Sequence, residues 1–283
     1  MDMERAIAVL GVACYVVSSL LAIVSLLGTR PRGERAALVF LTLGGIALAA
    51  VLVLFWVRVA GIPAFSRFEA LTCYALALSG AYLLLTLYRY SSGIAGLLIP
   101  YATLLLLCGI PALGRNAGVP APVQGPWLVL HVLTAYSAFG VFTLASIYAA
   151  AYLIQDNNLK HKRMGVVWER LPSLETLDHM MSRLAGISFL LLTLSIVMGF
   201  VLVNASGGGE AWFTDPKVAA TCAMWILLAV FVHLHASSDR HGRGIALMAV
   251  AGLACLLFTF IGVHLVAPTL HAFLLVGLGV SGP

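Results

Sequence analysis

Residues 127–155 read WLVLHVLTAYSAFGVFTLASIYAAAYLIQ, a run without Asp, Glu, Lys or Arg and with one imidazole, His131, near its start. About 20 apolar residues, rising 1.5 Å each, cross the roughly 30 Å hydrocarbon layer of a bilayer as a helix. This run is longer than that. Backbone in lipid must bond within its own segment, so the run is read as a membrane-spanning helix. Similar runs recur near 4–28, 36–58, 69–88 and 93–112 before it, and near 183–204, 217–236 and 244–266 after it. The chain is 61% hydrophobic and 10% charged, against roughly 25% charged for a soluble domain. The expectation is an all-α, polytopic integral membrane bundle of about eight transmembrane helices, forming a single transmembrane domain over residues 1–283. Its first stretch, Ala6 to Leu27, is too long and lacks the basic lead of a removable signal, so it counts as a span.

A formal charge of +5 would suit nucleic acid or an acidic surface, but the basic residues lie in the gaps between spans, and no nucleic-acid partner is expected. With the N-terminus outside, the inner loops hold Arg30, Arg32, Arg35, Arg89, Lys160, Lys162, Arg163, Arg170, Arg183, Arg240 and Arg243. The outer loops hold Arg5, Arg58, Arg67, Arg115 and Lys217. Lys and Arg favour cytoplasmic loops, which places both termini on the non-cytoplasmic side of a bacterial inner membrane.

Two gaps are more than turns. Between Asp156 and Arg183 the chain carries KHKR and then PSLETLDHMMSRL. There Leu174, Leu177, Met181 and Leu184 recur at helical spacing among polar residues, the pattern of a short amphipathic helix lying at the cytoplasmic interface. Residues 207–217, GGGEAWFTDPK, lead from a glycine run into an aromatic and acidic cluster that suits the outer interfacial layer.

Some chemistries are excluded by what is missing. Cys14, Cys73, Cys108, Cys222 and Cys255 all sit in apolar runs, and none belongs to a CxxC or CxxCH, which argues against thiol exchange and covalent haem attachment. A GxxxxGK[ST] loop and an HExxH helix are both absent, so neither ATP hydrolysis nor zinc proteolysis is expected, and no catalytic residue is named.

Histidines are the most informative polar residues, because imidazole is a frequent haem and metal ligand and is costly to leave idle in lipid. His131 lies about one turn into its span, His264 at the outer end of the last, and His271 beyond Pro268. All three can meet in the outer leaflet. A six-coordinate haem takes two imidazole nitrogens on opposite sides of its iron, at about 2 Å each. Distant segments suit that geometry, so one of His264 and His271 is expected to face His131. The alternative is that these side chains sit in the interfacial layer, bonded to carbonyls or water.

His233 and His235 lie about 24 Å along their helix from Lys217 and approach the opposite boundary. Two residues apart, they point in different directions. Either could ligate a second haem, with His179 as partner, or mark a polar helix end. At the outer side Trp212, Asp215 and Lys217 form another cluster. The indole can pack on a porphyrin and the charged groups can meet a propionate, while the structural role of Asp215 is N-cap of a helix opening at Pro216. Glu69, at the outer start of its span, is expected to be a solvated helix-start carboxylate.

The stretch from Trp212 to His271, taken with WLVLHVLTAYSAFGVFTLASIYAAAYLIQ and LPSLETLDHMMSRLAGISFLLLTLSIVMG, resembles the cytochrome c assembly protein family of the CcsA and HemX type. PAFSRFEAL, starting at Pro63, is similar to a segment of that family. In that family an outer tryptophan-rich segment is flanked by two haem-holding histidines. Carried over by motif, Leu130–His131 matches the first and Leu270–Phe273, LHAF, the second. The resemblance thus implies His131 and His271 as axial ligands of a haem b. Asp215–Lys217 and Trp225 match the core of the tryptophan-rich segment and the helix that follows. His233 matches a histidine implicated in haem passage from the inner side. His264 falls where family members often carry Asn.

The tryptophan segment is shortened here to EAWFTD, and Val218 and Ala220 stand where Glu and Trp usually follow DPK. That resembles the HemX branch, linked to haem biosynthesis and its control. The leading expectation is therefore an inner-membrane protein of the HemX type that binds one haem b, or two if His233, His235 and His264 supply a second site. The alternatives are a cytochrome c maturation factor delivering haem to apocytochrome c with a ResB-like partner, a haem–quinone electron-transfer protein, and a membrane regulator of glutamyl-tRNA reductase.

Overall fold

The computed structural model of the chain describes residues 2–28, 32–58, 67–87, 93–113, 126–162, 165–205, 213–237 and 242–259. The helices are α1 (Asp2–Leu27), α2 (Arg32–Arg58), α3 (Arg67–Leu87), α4 (Ala95–Gly109, extended by a 3₁₀ turn over Ile110–Ala112), α5 (Pro126–Lys160), α6 (Val166–Arg170), α7 (Leu174–Ala205), α8 (Pro216–Ser237) and α9 (Arg243–Leu257). Seven of them are long and apolar enough to cross a membrane. The eighth expected span begins as α9, but its stretch beyond residue 259 lies outside the described residues. The all-α membrane bundle is thus the observed architecture.

The helix that decides the reading of the sequence is also the hub of the bundle. α5 packs against α7 in the most extensive helix pairing of the fold, and also against α3 and α9. α1 pairs with α2 and α4 on the far side of α3, while α8 closes against α7 and α9. Ser188 Oγ donates to the Ala138 carbonyl at 2.9 Å, and His131 meets Ser195 one to two turns nearer the α5 N-terminus, so α5 and α7 run antiparallel.

Lipid offers no hydrophobic drive for helices to associate, so close backbone approach and hydroxyl bonds supply the specificity. At the α3–α5 crossing a Cβ on Gly140 would lie 2.6 Å from the Leu78 nitrogen and 2.8 Å from the Ala77 carbonyl carbon. Only glycine lets the two backbones come this close. Tyr74 and Thr143 bond through their hydroxyls at 2.5 Å across the same interface. Tyr15 donates to Ser79 Oγ at 3.0 Å, tying α1 to α3. Large apolar side chains such as Leu20, Val24, Leu43, Leu190 and Val201 are exposed, as a lipid-facing surface requires.

One expectation is corrected. The polar and apolar pattern over residues 171–183 does not form a separate helix lying at the interface. From Leu174 it is the opening of α7, a continuous helix of 32 residues, about 48 Å long. No glycine or proline interrupts 174–185, so nothing ends the helix before the apolar run takes over. Leu177, Met180, Met181 and Leu184 are its buried face. The amphipathic pattern is that of a span protruding past the hydrocarbon, with Pro172 just ahead of it and Ser173 accepting the Thr176 N–H at 3.3 Å at its start.

Candidate functional site

His131 sits in the second turn of α5, facing the C-terminal half of α7. Its Nδ1 lies 2.9 Å from the main-chain oxygen of Ser195. A carbonyl can only accept, so Nδ1 carries the proton and donates, and the neutral ring keeps its lone pair on Nε2. Metal-binding histidines are commonly held this way, with the second ring nitrogen bonded to a carbonyl or carboxylate that fixes ring and tautomer. Gly199 makes room for the ring: a Cβ there would stand 2.8 Å from His131 Cε1.

The head of α8 lies at the same end of the bundle. Asp215 Oδ1 accepts the N–H groups of Lys217 at 2.8 Å and Val218 at 3.1 Å, so the carboxylate is the helix N-cap expected from its place before Pro216. Asp215 is 4% exposed and Lys217 8%, which sets a close pair of charged side chains in the protein rather than in the headgroups. Lys217 is within electrostatic reach of the His131 ring. Phe213 meets Phe200 of α7 edge to face, with ring centres 6.4 Å apart, and this joins the entry of α8 to the exit of α7.

Glu69 departs from its expected role. It is 7% exposed, inside the bundle and within electrostatic reach of Cys73 and of Tyr136 on α5. Phe68, Glu69, Ala70 and Leu71 are all buried, because the first turn of α3 is enclosed on every side.

Trp225 lies in the α7–α8 interface. Its indole N–H donates to Thr193 Oγ1 at 2.8 Å, and its ring stacks on Phe189 at 5.5 Å. Trp212, His264 and His271 lie outside the described residues, as do the glycine run from Gly207 and the Pro63–Ser66 part of the PAFSRFEAL segment. The pairing of His131 with His271 therefore has one described member.

At the opposite end, a cavity of ≈470 Å³ is lined by Tyr152, Glu175, Asp178, His179, His235 and Gly242. His179 and His235 thus both line this cavity, from the first turns of α7 and the last turn of α8. His235 stacks on Phe231 at 6.5 Å. No group of three His, Cys, Asp or Glu among the described residues is arranged to hold a metal ion. Asp156 bridges this end, bonded to Lys160 at 2.8 Å and to Arg243 of α9 at 3.3 Å.

The family model described as cytochrome C assembly protein matches residues 46–271, which takes in α3 to α9 and His131. Curated relatives named cytochrome c biogenesis protein CcsA match over most of both chains. The one from Prochlorococcus marinus (strain MIT 9303) is 28% identical, covering 85% of each chain. That from Porphyra purpurea is 27% identical, covering 85% of this chain and 87% of the relative. That from Synechococcus sp. (strain RCC307) is 30% identical over 62% of this chain and 66% of the relative. With its helical bundle and a family match over more than half its length, the chain belongs to the cytochrome c assembly protein family.

Proposed function

We propose that the protein holds haem b on the non-cytoplasmic side of the membrane and passes it to apocytochrome c, with His131 and His271 as the two axial ligands. The observation that carries this is the Nδ1 bond of His131 to the Ser195 carbonyl, which would leave the Nε2 lone pair for iron. Buried Lys217, within electrostatic reach of His131, would offer its ammonium group to a haem propionate. The biogenesis name common to the relatives supports delivery to a cytochrome. Haem is the cargo here, and the residues of this chain grip it, shield it from water and release it. The distribution of Lys and Arg supports both termini on the non-cytoplasmic side, and the chamber lined by His179 and His235 is then the cytoplasmic point at which haem would enter. A separate ResB-like subunit would provide the cytochrome-docking surface.

The shortened EAWFTD segment, with Val218 and Ala220 after DPK, favours the second reading, a HemX-type protein that controls haem synthesis through glutamyl-tRNA reductase. The relatives weigh toward assembly. Deletion separates the two readings. Loss of c-type cytochromes with normal reductase levels supports assembly, whereas normal cytochromes with altered reductase abundance replace it by the regulatory role. A pyridine haemochrome assay on the purified protein is the direct check of haem binding, and absence of haem b after haem supplementation rejects the haem-delivery reading.

A further inference from the structure

We infer that Gly199 is a positioning residue for the His131 ligand, through the notch it opens over the Ser195 carbonyl; this rests on the reading of His131 as a haem ligand. In a helix the carbonyl of residue i bonds the N–H of residue i+4, and every Cβ leans back toward the N-terminus, so the side chain at i+4 overhangs that carbonyl. At Ser195 the overhanging residue is Gly199. With no Cβ there, the second lone pair of the carbonyl is open, and the His131 ring fills the space: its Cε1, Nδ1 and Nε2 lie 2.8, 3.3 and 3.6 Å from where a Cβ would stand. The ring therefore lies over the glycine while its Nδ1 reaches the carbonyl at 2.9 Å.

A methyl group at position 199 would force the ring outward by more than half an ångström to reach ordinary contact. That exceeds the roughly 0.2 Å tolerance of a metal–nitrogen bond. It would also lengthen the Nδ1 bond that fixes the tautomer. Loss of such an outer partner typically weakens metal binding by about 10- to 100-fold. Gly186, earlier on the same helix, has nothing within 4 Å of its Cβ position, and so provides a matched control for adding a methyl group to α7.

The test uses the full-length protein in detergent, titrated with haem and followed by absorbance. His131→Gly is expected to abolish the bis-imidazole spectrum. Gly199→Ala is expected to bind haem about 10- to 100-fold more weakly with a shift toward the high-spin spectrum, and Gly186→Ala to match wild type. If His131→Gly keeps the wild-type spectrum, the ligand reading falls and this inference with it. If His131→Gly loses the spectrum while Gly199→Ala keeps wild-type affinity and spin state, the inference alone is overturned. Should Gly199→Ala fail to fold, the background without the ring decides. Haem-loaded His131→Gly is titrated with imidazole and with 1-methylimidazole, which lacks the N–H for the carbonyl. Preference for imidazole by about tenfold, reduced in the His131→Gly/Gly199→Ala double variant, supports the notch; equal binding in both overturns it.

Discussion

Trp225 and Thr193 are joined by an indole N–H to hydroxyl bond of 2.8 Å between α8 and α7, and the same indole stacks on Phe189. The family resemblance matches this tryptophan to the helix that follows the tryptophan-rich segment, and its contacts in the described residues are those of helix packing. Trp225→Phe keeps the stack and removes the bond. We expect a loss of roughly 0.6 kcal/mol, typical of an interhelical hydrogen bond in a membrane protein, and an unchanged haem spectrum. A spectral shift in that variant would give Trp225 a direct role at the cofactor.

Asp215 holds the first turn of α8 by two backbone bonds and stands beside buried Lys217. Asp215→Ala removes the cap, a cost of about 1 kcal/mol, and takes away the negative neighbour of a buried cation, which adds to it. Asp215→Asn retains the cap geometry without the charge and should fall between the two. Thermal unfolding in detergent of the three proteins gives the order; equal stability of the Ala and Asn variants would assign the whole effect to the charge, and an Asn variant equal to wild type would assign it to the cap.

Gly140→Val places a branched side chain against the α3 backbone at Ala77 and Leu78. Backbone cannot move aside as a flexible side chain can, so α3 and α5 must separate, which breaks the Tyr74–Thr143 bond as well. A loss of more than about 3 kcal/mol is expected, in the range of severe overpacking, with a fall in folded yield by size-exclusion chromatography. Gly186→Val, in open space, is expected to keep wild-type yield.

Glu69 is buried where a solvated carboxylate was expected, and an ionisable group inside a membrane bundle is a default candidate for function. Glu69→Gln preserves its size and its capacity for hydrogen bonds. Normal protein levels with reduced c-type cytochrome content are expected in cells carrying the variant. Full cytochrome content would make the residue structural.

The all-α membrane bundle, the apolar faces and the capping of α8 by Asp215 were legible along the chain. Each depends on local patterning: the length of an apolar run, or a residue before proline. The inward turn of Glu69, the merging of the segment after Leu174 into α7, the engagement of Trp225 with Thr193, and the meeting of His131 with Ser195 and Gly199 came only from tertiary structure. Those depend on which helices become neighbours and how closely their backbones approach, and lipid, being as apolar as the side chains, leaves that choice to small residues and polar bonds whose partners lie 32 to 87 positions away.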